Sequence, residues 1–232
     1  DIRSDSMVRE LDRDLYDQDG IILDQIGASA AGQLPKGFDP SSLYPARQHP
    51  RALQMTIFGM GDALGQLGID WKVIQEKIAP DEVAVFSGAA IGQLDSFGFG
   101  GLMQSRLKGS RASSKNLALG LVEMSADFIN AYILGSVGRT GHVVGACATF
   151  LYNLQMGKEA IESGSARFVV VGGAEAPITP EIVDGFYAMS ALSDDKRMME
   201  MQAQHNENLK EGPIQKKACR PFGQNHHKNL NH

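Results

Sequence analysis

The stretch "ARFVVVGGAE" at 166–175 constrains the fold most. It is apolar at consecutive positions, rich in β-branched residues and closed by a glycine pair. A short run of this kind reads as a strand in a sheet buried on both faces, which is the habit of parallel sheets covered by helices. Two more runs fit the same role. "DEVAVFSG" (81–88) ends in serine and glycine, and "TGHVVGA" (140–146) leads to a cysteine. Helical patterns separate the strands. "PRALQMTIFGMGDALGQLGI" (50–69) opens on a proline and places Leu53, Ile57, Met60, Leu64 and Leu67 on one face. "SFGFGGLMQSRLKGS" reads as a glycine loop passing into a short helix, and "LALGLVEMSADFINAYILG" (117–135) as a longer apolar helix. A helix follows Cys147. "TPEIVDGFYAMSAL" (179–192) starts with Thr179 as the cap and Pro180 at the first helical position. The order α, β, α, β, α, β, α predicts an α/β protein with a mostly parallel sheet. The 26 glycines, many in short clusters, suit the tight turns of such a fold, and no internal repeat is present.

The remaining sequence bounds the class. With 232 residues the chain forms one large domain or two small ones. Its net charge of −5 and the lack of a lysine or arginine stripe argue against a nucleic-acid partner. No apolar run reaches the roughly 20 residues that a spanning helix needs. The first residues, "DIRSDSMVRELDRD", are too polar for a signal peptide. Two cysteines make no disulfide framework, so a reducing cytoplasm is the expected location. Residues 1–50, including the proline-bearing "LPKGFDPSSLYP", read as an irregular lead-in. "DDKRMMEMQAQHNENLKEG" (194–212) reads as a surface excursion, and 224–232 as a polar tail.

Cys147 sits where a strand turns into a helix, in "VVGACATFLYNLQMGKEAIESG" (143–164). The first turn of a helix presents unpaired backbone N–H groups and about half a positive elementary charge. That setting favours thiolate over thiol, and the same N–H groups can hold an oxyanion when a thioester carbonyl is attacked. Gly145, Ala146 and Ala148 permit the sharp turn, as in a nucleophile elbow with thiol in place of hydroxyl. A cysteine is equally a common small core residue, and no helper stands inside this stretch: His142 is five residues away in a strand.

The wider pattern resembles the β-ketoacyl synthases, the condensing enzymes of fatty-acid and polyketide synthesis. The residues that carry the resemblance are Ala-Cys-Ala-Thr around Cys147, the helix ending at "ESGSAR", the strand "VVVGGAE", the pair Gly185-Phe186, "ALS" at 191–193 and "CRPFGQN" at 219–225. The upstream "VFSGAAIGQLDSF" resembles that family's glycine-rich turn after an early strand. The likeness covers about residues 50–223, so 51–223 are expected to be a partial N-terminal domain of this family. It implies the thiolase-like layered α-β-α fold, of which this chain is the N-terminal half. It also implies an acyltransferase: Cys147 accepts an acyl group from acyl-carrier protein or acyl-CoA, then a malonyl thioester loses carbon dioxide and attacks the acyl-cysteine. No metal or cofactor is implied. By the same resemblance Phe186 lines the acyl pocket, Gly172 and Gly173 serve close packing, Glu175 is a buried structural carboxylate and Cys219 is inert. A homodimer or partner subunit is implied, formed across the sheet edge of this half.

The sequence departs from the family after "RPFG". The family's two catalytic histidines, a lysine and a second oxyanion-hole segment belong to the other half of the fold, and their motifs are not within these residues. His226, His227 and His232 lack the flanking glycines and read as polar tail residues. A partial or frame-disrupted gene, unable to condense alone and exposing an apolar face, is the expectation. Two alternatives stay open: a cysteine-dependent thioesterase or acyltransferase drawing a base from His49, His142 or His205, and a non-catalytic subunit that shapes an acyl chamber.

Overall fold

A computed structural model describes residues 8–10, 30–32, 34, 36–42, 44–175, 178–192, 199–201, 203 and 204. Two compact units partition the chain, 39–177 and the combination of 1–38 with 178–232.

The larger unit is built on three parallel strands in the order β4-β3-β5: β3 (Val83–Ser87), β4 (Arg139–Gly141) and β5 (Phe168–Gly172). Val85 lies opposite Thr140 on one side and Val170 on the other, which fixes the register. Side chains alternate across a strand, so β3 feeds two cores. Val83 and Val85 join Met60, Ala126, Ile129 and Leu134 on one face, while Ala84 and Phe86 join Ala160 and Ala166 on the other. The first face is covered by α1 (Arg51–Gln66) and α5 (Met124–Phe128), the second by α6 (Thr149–Glu162). This is the layered α-β-α arrangement with a parallel sheet that the sequence predicts. Shorter helices α2 (Trp71–Gln75), α3 (Phe99–Gln104) and α4 (Ser114–Gly120) complete the unit.

The helix α1 buries Leu53, Ile57 and Met60 as its periodicity predicts. Leu67 does not follow them: it lies past the last helical residue and is 47% exposed. The carboxylate of Asp95 accepts from Arg51 N at 2.6 Å, which satisfies an orphan donor at the start of α1 with a negative charge.

Four further expectations are corrected. The segment 117–135 is not one helix. It is extended at Leu121, continues as α5, and widens into a π-helical turn at Ile129–Ile133. The break turns the carbonyls of Gly120 and Val122 toward Gln93 N and Ala89 N, supporting the loop after β3. The strand predicted at 140–146 ends at Gly141, and beyond it Val143 N and Gly145 N donate to the side chains of Asn153 and Thr149 on α6. Strand β5 is half-buried along its length, since it is an edge of the described sheet; only β3 is buried throughout. The lead-in contains an antiparallel pair, β1 (Val8–Glu10) with β2 (Ala30–Gly32).

In the smaller unit, α7 (Pro180–Ala188) begins where Thr179 and Pro180 predict, although the Thr179 side chain makes no capping bond. Met199 and Glu200, inside the supposed excursion at 194–212, are helical and exposed. Cys219, the "CRPFGQN" segment and the tail histidines lie outside the described residues, as does His205. No helix among the described residues is long and apolar enough to cross a membrane.

Candidate active site

The three parallel strands end at the same edge, and there the chain leaving β4 turns into α6. In open parallel α/β sheets this carboxyl edge is where ligands bind. A single 3₁₀ turn, Ala146–Ala148, makes the connection, with Cys147 at its centre and exposed. Ala146 has φ of +47°, a left-handed conformation that costs a residue with a Cβ about 1–2 kcal/mol. The sharp elbow expected from "GACAT" is present.

The elbow is tied back by the first turns of α6. Thr149 Oγ1 donates to Ala146 O at 2.7 Å and accepts from Gly145 N at 3.0 Å. Ala148 N donates to Gly145 O at 2.9 Å. A Cβ on Gly145 would overlap the Tyr152 ring, so a larger residue there would have to displace that ring. One turn after Thr149, and on the same helix face, Asn153 is fully buried. Its Oδ1 accepts from Val143 N at 3.0 Å, and its Nδ2 lies 3.2 Å from His142 Nδ1. The other ring nitrogen, His142 Nε2, is 3.0 Å from Ala89 O in the loop after β3. The imidazole lies against Gly88, where a Cβ would collide with the ring.

The same loop is held from β5. Glu175 accepts from Ala90 N and Ile91 N, both at 3.1 Å. The expectation of a buried carboxylate is corrected here: Glu175 is exposed, and its role is to clamp two backbone donors of a loop. Of the two glycines assigned to close packing, Gly173 fits, because a Cβ there would reach Gly88 O at 2.5 Å. Gly172 does not: its nearest neighbour would be Ser87 Oγ at 3.7 Å, an ordinary contact.

Phe186 is half-buried on α7, one turn after the buried Val183. It belongs to the smaller unit and Cys147 to the larger. Of the histidines, His49 packs edge-on against Phe128 at 4.8 Å, and burial lowers its pKa. His142 has both ring nitrogens engaged. Among the described residues no group of three or more His, Cys, Asp or Glu side chains is placed to hold a metal ion.

The sequence reading missed Thr149 and Asn153. Their spacing of four on the helix that follows the cysteine was available, but an asparagine at a helical position signals a buried role only once its backbone partner is known.

A family model described as "Beta-ketoacyl synthase, N-terminal domain" matches residues 2–207. The β-ketoacyl-[acyl-carrier-protein] synthase FabY of Pseudomonas aeruginosa is 54% identical over 196 residues, covering 84% of this chain and 30% of that protein. A 3-oxoacyl-[acyl-carrier-protein] synthase 2 of Staphylococcus aureus is 30% identical over 177 residues, 76% of this chain and 38% of that one. The chain thus spans about a third of the length of these curated relatives. The crystal structure of the noncanonical ketosynthase FabY from P. aeruginosa superposes with a TM-score of 0.74 at 56% identity, over 76% of this chain and 28% of that one. A β-ketoacyl synthase from Burkholderia phymatum, at 22% identity and a TM-score of 0.63, covers 83% of this chain and 45% of its own and shares the fold. The thiolase-like layered fold is therefore the one present, and the chain belongs to the β-ketoacyl synthase family, matching its N-terminal domain.

Proposed function

We propose that the protein is a β-ketoacyl-[acyl-carrier-protein] synthase of fatty-acid or polyketide synthesis, and that this chain supplies its nucleophile, Cys147. The observation that carries the reading is the exposed thiol on a strained elbow at the start of a 14-residue helix. In the first step the Cys147 thiolate attacks the carbonyl carbon of an acyl thioester. The tetrahedral oxyanion is held by backbone N–H groups of the elbow. Collapse expels the carrier thiolate, which takes up the proton that Cys147 gave, and leaves an acyl-cysteine. In the second step a malonyl thioester loses carbon dioxide, its carbanion attacks the acyl-cysteine, and the Cys147 thiolate departs. The family resemblance assigns the basic groups for decarboxylation to the other half of the fold, and the step proposed for the residues described here is the acylation.

Phe186 is proposed to line the acyl pocket. The acyl donor is proposed to be acyl-carrier protein. Arg106, Lys108 and Arg111 between α3 and α4, with Lys115 in the first turn of α4, support this, because all four are exposed and no acidic residue interrupts the sequence from 96 to 122. They form a local cationic loop that the negative net charge conceals. A thioesterase reading would need a free imidazole, and the engagement of both His142 nitrogens counts against it.

Intact mass after incubation with acyl-carrier protein or acyl-CoA tests the proposal. A single acyl adduct that Cys147→Ala abolishes is the expected result. A folded chain that gains no adduct, or gains one equally in the alanine variant, removes Cys147 as the nucleophile.

A further inference from the structure

We propose that Asn153 and His142 are positioning residues, a buried clamp that fixes the Cys147 elbow against the loop after β3; the inference rests on Cys147 being the nucleophile. The roles of the atoms follow from what each partner can do. Ala89 O only accepts, so His142 Nε2 carries the proton. Val143 N only donates, so Asn153 presents Oδ1 to it and Nδ2 to His142 Nδ1. The ring is therefore neutral, with Nδ1 as acceptor. Each group has one workable state, and the chain Ala89, His142, Asn153, Val143 is fully satisfied.

The consequence is positional. Val143 N is fixed four residues before Cys147, while Thr149, one turn earlier on α6, fixes Gly145 and Ala146. Asn153 and Thr149 together leave the backbone between β4 and the thiol little freedom. The His142 ring, seated on Gly88, couples that backbone to the loop that Glu175 grips from the other side. All three strand ends are thereby joined around the elbow. An attacking sulfur and its oxyanion donors need this alignment, whereas an exposed thiol reacting with a small alkylating agent does not. A misplacement of about 1 Å reduces an aligned reaction by roughly 100-fold.

Asn153→Asp tests the clamp. It keeps an acceptor for Val143 N, removes the donor to His142 Nδ1, and demands a proton there instead. Acylation of Cys147 by an acyl thioester should slow about 10- to 100-fold, while its alkylation by iodoacetamide stays within about twofold of wild type. His142→Gln, which can still donate to Ala89 O, should lose less than His142→Ala. Two-bond ¹⁵N–¹H spectra should show His142 as the Nε2–H neutral tautomer in the wild type and protonated at Nδ1 in Asn153→Asp. Wild-type acylation rates in Asn153→Asp, or a wild-type ring protonated at Nδ1, overturn the proposal. So does a parallel change in acylation and alkylation with a lowered melting temperature, which marks simple damage to the fold. If the wild type is alkylated but never acylated, the nucleophile reading fails. The ring spectra of the wild type and of Asn153→Asp then decide the clamp on their own.

Discussion

Ala146 carries a Cβ through a region of backbone space that glycine fills more cheaply, and it does so next to the only described cysteine. Strain of this kind persists where the surroundings over-determine it, here the Thr149 hydroxyl bonds and the Tyr152 ring over Gly145. A second residue under local cost is His49. Its Nδ1 is buried with no hydrogen-bond partner among the described residues, and burial holds its pKa below the ordinary 6.5. Below that value the unfolded chain takes up a proton that the folded chain resists, so stability falls as pH drops through it. Urea midpoints measured between about pH 7.5 and 5.5 should decline in the wild type, and the decline should be shallower in His49→Phe. Equal slopes in the two proteins would show that folding does not shift the His49 pKa. A nucleophile's role for Cys147 came from the family resemblance; the elbow itself was legible in its small neighbours Gly145, Ala146 and Ala148. Asn153 and Glu175 were not, since each acts on a backbone group that only the fold brings near.

Strands and helices were legible where one segment answers to one partner. Strand β3 is buried throughout, as its apolar run marks, and helix α1 buries Leu53, Ile57 and Met60 of the face that its periodicity marks. The segment 117–135 failed because its apolar pattern says nothing of the loop that needs its carbonyls at Gly120 and Val122. Strand β4 was read too long for a related reason: Val143 and Val144 are β-formers, yet Val143 N bonds to α6 and Val144 is 55% exposed. The connection between α3 and α4 gives a test at this scale. If its cations guide an acidic carrier protein, Lys108→Glu with Arg111→Glu should slow acylation from acyl-carrier protein roughly tenfold at low salt. Acylation from acyl-CoA, which lacks the protein surface, should change much less. Equal slowing with both donors would mean that the loop acts on the thioester end common to both, and no slowing would remove it as a docking surface.

Among the described residues, the larger unit leaves apolar surface uncovered. Helix α6 exposes Phe150, Leu151, Leu154 and Ile161, each between 48% and 63%. A groove bounded by Leu154, Gly157, Ile161, Val169 and Val171, with the charged pair Lys158 and Glu162 at its rim, runs between that helix and β5. Strand β5 also has one edge unpaired among the described strands. Apolar faces on this scale mark interaction sites, and open strand edges invite pairing. The relatives that match here are about three times as long as this chain. Each square ångström of apolar surface removed from water contributes about 25 cal/mol, which favours association of these chains as concentration rises. Sedimentation should show that rise, and Leu151→Glu with Leu154→Lys should return the chain to monomer. Both side chains are about half exposed or more, so the double variant should melt near the wild-type temperature. A wild type that stays monomeric across micromolar concentrations would show that this face is stable in water. Persistent oligomers in the double variant would place the contact elsewhere, with the edge of β5 the next surface to test.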